Sequence, residues 1–299
     1  FISAIGWTGS WRAEFLRNDN IVSVKSGLQN TKFYLKSGEK IRTSSTLIME
    51  YSESDDRFNK FRRLIRNHYS HLSNTKTDRE GLMAFELWGG LNSEKMINRL
   101  RELKEHDVKF EEAWIDAGWY GQCKNCDDSA SGDWSSFTGE WDINRRVHPN
   151  GLIDVKNAAN EAGMNMMFWI EPERSATNVP VFQEHPEWFL SIPNYDNHLL
   201  YYGNEEALLY AFDVISNYVE KLDLSCYRQD FNTWPKMFFD KNEEENRIGI
   251  LEIKHTMGVY KLFDMLLEKY PKLVIDNCAS GGRRFDIEMM KRSIPFFRS

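Results

Sequence analysis

Asp230 closes the segment Leu224-Ser-Cys-Tyr-Arg-Gln-Asp-Phe-Asn232, an apolar run that breaks into loop immediately after a carboxylate. A charged group at that point is costly to bury unless it is paired or used. Arg228 precedes it by two residues, and such residues of a strand share a face. A neighbouring cation favours the ionised form of an acid, the form a nucleophile needs. A plain buried ion pair fits the same spacing.

Three more segments end alike. Ala113-Trp-Ile-Asp-Ala-Gly-Trp-Tyr120 sets Asp116 among tryptophans with Gly118 for a tight exit, which suits a pocket that hydrogen-bonds hydroxyls against an aromatic wall. A helix cap or a loop salt bridge would also explain Asp116. Phe168-Trp-Ile-Glu-Pro-Glu173 places two carboxylates around a stiffening proline. Strand alternation would point Glu171 and Glu173 the same way, as a paired-acid site or as a network with Arg174. Asn277-Cys-Ala-Ser-Gly-Gly-Arg283 supplies small residues that let backbone approach a ligand closely. It lacks the Lys-Ser/Thr ending and the spacing of a phosphate loop.

These segments need elements to hold them. Residues 1–55 read as short alternating strands separated by Gly and Asn turns, the end of a β-sandwich. Residues 56–80 carry a basic helix and a polar loop. From residue 81 strands and helices alternate, which implies a parallel sheet. The strands are expected over Met83–Trp88, Phe110–Trp119, Asn165–Glu173, Leu224–Asn232, Leu273–Ser280 and Ile294–Ser299. The helices are expected over Ser93–His106 with Ser93 as N-cap, then Val155–Ala162, Glu205–Leu222, Arg247–Tyr270 and Arg284–Arg292. Six such strands suggest an α/β fold, a (β/α)8 TIM barrel that is incomplete over residues 81–299, because a barrel must close to remove its edges. The C-terminal strand ends of a barrel are where its chemistry sits. A long loop with Gly132-Asp-Trp-Ser, Glu140-Trp-Asp-Ile-Asn and His148-Pro-Asn-Gly-Leu152 is Trp-rich, and loops of that length are usually functional or disordered.

The composition narrows the classes. A net charge of -7 argues against a nucleic-acid groove. No run approaches the roughly 18 apolar residues of a membrane-spanning helix. Aromatic residues make up 14% of the chain, which suits sugar faces and cores equally. The chain opens at Phe1 without Met and reads as truncated at both ends, so the compartment stays open. Cys123 and Cys126 form a lone CxxC, too few ligands for zinc without partners. A free dithiol or a local disulfide fits better there, while Cys226 and Cys278 read as small core residues.

Taken together and in this order, the motifs resemble the α-galactosidases of glycoside hydrolase family 36. That family carries an acid-Gly-Trp motif, then Trp-x-Glu-Pro-Glu, Lys-Trp-Asp-x-Asn and Asn-Cys-x-x-Gly-Gly-x-Arg. The matching positions here are Asp116–Trp119, Trp169–Glu173, Arg228–Asn232 and Asn277–Arg283. The stretch Ala4-Ile-Gly-Trp-Thr-Gly-Ser-Trp11 resembles the sandwich that precedes the family's barrel. The resemblance implies a retaining glycosidase acting on terminal α-galactosides, without cofactor or metal, with Asp230 as nucleophile. It places the acid/base carboxyl directly after Ser299. Asp116 and Arg228 would hold sugar hydroxyls, Trp169 would stack beneath the ring, and Cys278 and Gly281 would line the floor near the 2-position. Trp119, Glu171 and Asn232 complete the implied substrate contacts. Ala117 stands where the family has a second Asp, and Arg228-Gln229 replaces Lys-Trp. The first change loses a hydroxyl ligand and the second exchanges a point charge for a planar fork.

Other activities share these residues. An α-N-acetylgalactosaminidase or a galactosyl transglycosylase would use the same barrel. A metal-dependent hydrolase could place Asp116, Glu171, Glu173 and Asp230 around Mg²⁺ or Ca²⁺. A sugar-binding protein without catalysis would need the pocket alone. A glycoside is the expected partner, without nucleic acid or membrane, and homo-oligomer formation is left open.

Overall fold

A computed structural model describes residues 1–54, 56–71, 81–122 and 134–296. Two antiparallel pairs come first. Strand β1 (Ile2–Gly6) runs beside β5 (Ser45–Met49), while β2 (Trp11–Asn18) and β3 (Ile21–Leu28) form a hairpin, and β4 (Lys32–Phe33) is a short strand between them. Helix α1 (Arg57–His68) is capped by Asp56, whose side chain accepts from the Asn59 N–H.

From residue 81 the chain alternates. Strand β6 (Ala84–Leu87) is followed by α2 (Ser93–Glu105), β7 (Glu112–Ile115), α3 (Ile153–Glu161) and β8 (Asn165–Ile170). An insertion then carries β9 (Arg174–Ala176), α4 (Pro180–Glu184), β10 (Phe189–Leu190) and β11 (Asn197–Leu200). The alternation resumes with α5 (Glu205–Leu222), β12 (Cys226–Gln229), α6 (Pro235–Asn242), β13 (Arg247–Ile248), α7 (Ile250–Lys269) and β14 (Val274–Asn277).

Five strands pair in parallel in the order β14-β12-β8-β7-β6, so each lies beside its predecessor. Ile294 adds a parallel bridge to Asp276 and thereby starts a sixth strand at the open edge. Consecutive parallel strands with helices between them are the winding of a (β/α)8 barrel, present here through the start of its sixth strand. Strand β8 reads Asn-Met-Met-Phe-Trp-Ile without alternation, because both faces of a barrel strand are covered. Its outward residues Met166, Phe168 and Ile170 join the main core with α5 and α7.

Several elements differ from expectation. The strands end sooner than the apolar runs do, since the residues beyond them turn into the loops that carry the polar groups. Asn92, not Ser93, caps α2, through an oxygen 2.9 Å from the Lys95 N–H. The helix expected from Arg247 begins only at Ile250. Arg247–Ile248 pairs with β4, and Gly249 at φ 94° separates strand from helix. The helix expected over Arg284–Arg292 is a single 3-10 turn, Met289–Lys291. Just before that turn the Asp286 side chain accepts from the N–H groups of Glu288 and Met289. The three-stranded sheet β10-β11-β9 was not legible in the sequence.

Candidate active site

Inward side chains of the sheet form two rows. The lower row is apolar, with Trp114, Met167, Cys226 and Val274 in one buried cluster. One step further along, the row turns polar: Trp169, Arg228 and Asp276 stand abreast on β8, β12 and β14. Period-two alternation sends Ile170 and Gln229 to the outside instead. Arg228 is buried, donates through Nη1 to Asp276, and lies 4.5 Å over the Trp114 ring. Asp276 also accepts the Phe296 N–H at 2.8 Å, which ties the sixth segment to this row. Sequence reading passed over Asp276. Its signal was an acid inside the apolar run Leu273-Val-Ile-Asp, level with Arg228 on the adjoining strand.

Asp230 sits at the loop end of β12 and is only 7% exposed. Its Oδ2 accepts from Trp169 Nε1 at 3.0 Å and from Asn232 Nδ2 at 2.8 Å. Its Oδ1 accepts from the N–H of Phe231 at 2.7 Å and of Ser280 at 3.4 Å. Donors from three strand ends therefore converge on one carboxylate. Hydrogen bonds of this kind, to a charged acceptor, are stronger than neutral ones.

Asp116 follows β7 and feels both Arg228 and Asp230. Burial pushes its carboxyl up to about 6, against the pull of the Ala117 N–H and Arg228, and the charges of Glu86 and Asp230 add to the rise. Ala117 is buried in the main core. Gly118 takes φ 98°, and a Cβ there would meet the Gly90 nitrogen at 2.8 Å, so the exit from β7 needs glycine. Cys278 is buried beside Asp230. Burial, followed by the Asp230 charge, lifts its thiol to about 11, so it is a neutral thiol at physiological pH. Its sulfur accepts the Gly281 N–H at 3.4 Å. Ser280 and Gly281 both have positive φ, 46° and 88°, and that turn aims the Ser280 N–H at Asp230.

Three expectations need correction. Trp119 lies on the outer side of the sheet, fully buried against Phe168 and Tyr218, with its indole N–H spent on the Trp169 carbonyl at 3.0 Å. The tight turn at Gly118 rotates it away from the pocket. Trp169 is 1% exposed and stacks on Tyr120 at 5.9 Å, so it meets the site through its N–H rather than an open ring face. Glu171 is covered: Arg174 grips both its oxygens at 2.9 and 2.6 Å, and Asn232 donates to it as well. Burial raises the Glu171 carboxyl above its ordinary range, against Arg174. Of the two readings left open for Glu171 and Glu173, the structure has the network with Arg174 and not the acid pair, because Pro172 lies in a turn where strand alternation has ended.

Glu173 anchors a separate, outer network. Arg284 donates two hydrogen bonds to it, at 2.5 and 2.7 Å, His255 approaches at 2.8 Å, and Gln229 donates at 2.9 Å. Burial alone would raise its carboxyl, but Arg284 and His255 outweigh burial and hold it at about 2.

Asn232, although exposed, bridges Asp230 to Glu171 and accepts from the Ser280 hydroxyl at 3.0 Å. His148 is spent on Ser93 and the Gly89 carbonyl, and burial drops its imidazole to about 4. Half-buried His185 stacks on Trp188. Among the described residues, no three His, Cys, Asp or Glu side chains group so as to hold a metal ion. Cys123, Cys126 and Ser299 lie outside the described residues.

The chain is 34% identical over 194 residues to an α-galactosidase of Escherichia coli, a match that covers 62% of this chain and 25% of the relative. It is 27% identical over 223 residues to the α-galactosidase AgaA of Geobacillus stearothermophilus, over 71% of this chain and 29% of the relative. The crystal structure of a variant of that GH36 enzyme in complex with stachyose superposes with a TM-score of 0.80 at 23% identity, over 97% of this chain and 41% of the other. The chain thus spans well under half of each of these proteins. Residues 43–297 match the Melibiase family, and the chain belongs to that family.

Proposed function

We propose that this chain carries the nucleophile half of a retaining α-galactosidase. The observation that supports this most is the setting of Asp230: a nearly buried carboxylate at a strand end, held by four N–H donors, with Arg228 on the same inner face. An oxygen of Asp230 attacks the anomeric carbon. The bond from that carbon to the leaving oxygen breaks, and a second carboxylic acid protonates that oxygen. Water activated by the same second group then releases the sugar from Asp230 with net retention. The second acid is expected on the sixth strand, directly after Ser299.

The remaining roles follow from position. Asp116, at the end of β7 and near the Arg228 and Asp230 charges, accepts hydrogen bonds from sugar hydroxyls. Trp169 and Asn232 hold Asp230 in place. Arg228 and Asp276 keep the floor charged and rigid, and Cys278 and Gly281 border it. AgaA, as a complex with stachyose, supports an oligosaccharide ending in an α-galactose as substrate. Ala117, where the family has an acid, leaves one fewer acceptor for the sugar.

The test is to incubate the full-length enzyme with a fluorinated galactoside that slows release, and to map the labelled peptide. Label on Asp230 is expected. Label on another residue, or turnover by Asp230→Asn at the wild-type rate, overturns the assignment. Asp230→Asn should lower kcat by about a millionfold, as removal of a nucleophile does.

A further inference from the structure

We infer that Arg283 is a positioning residue for Asp230, a clamp that ties the loop leaving β12 to the turn leaving β14. This rests on the glycosidase reading above and adds to it the means by which the proposed nucleophile is held from the rim of the site.

Each nitrogen of the guanidinium donates to a different main-chain carbonyl. Nη2 reaches Phe231 at 3.3 Å, Nη1 reaches Thr233 at 2.9 Å, and Nε reaches Ala279 at 3.0 Å. Phe231 follows Asp230 directly, and Ala279 precedes Ser280. Arginine presents its donors in a rigid planar fork, so one side chain can hold three acceptors in fixed directions, which a lysine ammonium on a flexible stem does not. The exposed Trp234 ring lies 4.6 Å from the guanidinium and covers one side of it, a favourable contact for a cation.

The turn that Arg283 braces is one that needs bracing. Ser280 at its tip takes φ 46°, and a residue with a side chain keeps that left-handed conformation only where its surroundings determine it. The Ser280 N–H donates to Asp230 Oδ1 at 3.4 Å, and its hydroxyl donates to Asn232 Oδ1 at 3.0 Å. Asn232 in turn donates to Asp230 Oδ2 at 2.8 Å. Both oxygens of the carboxylate therefore lean on the turn, Oδ1 through Ser280 and Oδ2 through Asn232. By gripping the neighbour of Ser280 and the neighbour of Asp230 together, Arg283 sets the spacing between them. Arg284, next in the chain, is committed to Glu173 instead, so the two arginines have separate tasks.

The Asp230 charge is also felt at Arg283, which makes a purely electrostatic role the rival explanation. The two roles demand different things of the side chain. Any cation would serve the second, whereas only the fork serves the first.

The experiment uses the full-length enzyme with the variants Arg283→Lys and Arg283→Gln. It measures kcat and KM on p-nitrophenyl α-galactoside, and the rate at which a fluorinated galactoside labels Asp230. Arg283 is exposed, and thermal unfolding measured alongside checks that folding is kept. In both variants kcat and the labelling rate should fall about tenfold to a hundredfold, as for lost hydrogen bonds to a charged group. KM should stay within about twofold, because the loss falls on the reacting geometry and not on ground-state binding. Wild-type rates in Arg283→Lys would show that charge suffices and overturn the clamp, as would wild-type rates in Arg283→Gln. A raised KM at unchanged kcat would make Arg283 a substrate contact and overturn it as well. In each of these cases a wild type labelled on Asp230 leaves the glycosidase reading standing. A wild type that takes no label on Asp230 overturns that reading and the clamp with it.

Discussion

At the scale of single residues, the site is governed by how many donors one carboxylate can collect. Trp169 Nε1 at 3.0 Å reaches Asp230 from the neighbouring strand β8, so it helps fix the carboxylate plane relative to the sheet. Trp169→Phe keeps most of the packing and removes that N–H. Steady-state kinetics of the full-length variant should show kcat/KM lowered by about tenfold to a hundredfold, the usual worth of a hydrogen bond to a charged group. Asp116 obeys different physics, since burial lifts it to about 6. Its ionised form is the better acceptor for sugar hydroxyls, so kcat/KM should fall as pH drops through about 6. Asp116→Asn should lose that limb of the pH profile. A limb that survives in the variant would assign the titration elsewhere.

At the scale of elements, the loop ends of β8, β12 and β14 are bound to one another by two ion networks on opposite faces of the sheet. Inside, Arg228 and Asp276 join β12 to β14. Outside, Glu173 after β8 meets Gln229 on β12, Arg284 after β14 and His255 on α7. The His255 Nδ1 accepts from the Tyr202 N–H at 3.2 Å, which leaves Nε2 to carry the proton toward Glu173. Breaking a buried pair strands the remaining charge, so Glu173→Gln should cost about 3–5 kcal/mol in urea unfolding at neutral pH. The sign of its pH dependence follows from a folded value of about 2 against an ordinary 4.5. The contribution is complete above the ordinary value and is lost as pH falls toward 2, so wild type and variant should converge in stability over that interval.

At the scale of the whole molecule, the N-terminal strands are fastened to the barrel rather than tethered beside it. Trp7 is 1% exposed and meets Tyr260 of α7 edge-on at 6.1 Å. The Tyr260 hydroxyl accepts the Thr8 N–H at 2.9 Å, and Arg247 links β13 to Glu39 and to the Tyr34 carbonyl. Removing a buried indole costs about 3–5 kcal/mol. Trp7→Ala should therefore lower the unfolding free energy by that amount and speed limited proteolysis within residues 1–50. Unchanged proteolysis there would mean that the strands dock mainly through their other contacts.

The sequence by itself determined the alternation of strands and helices, the barrel winding and the position of Asp230, because apolar periodicity and an acid at a strand end are local properties. It also carried the family motifs in order, on which Asp116, Trp169, Asn232 and Cys278 were expected to serve the site. Only the tertiary structure decided what each side chain touches. The turn at Gly118 sent Trp119 to the outer core, the turn at Pro172 sent Glu171 and Glu173 into different networks, and the pairing of β12 with β14 gave Arg228 its partner Asp276. The Trp119, Glu173 and Arg228 outcomes depend on neighbours that folding brings close from 48 to 111 residues away in the chain, whereas the Glu171–Arg174 pair is local, three residues apart. Residue order along a single segment does not encode such long-range neighbours.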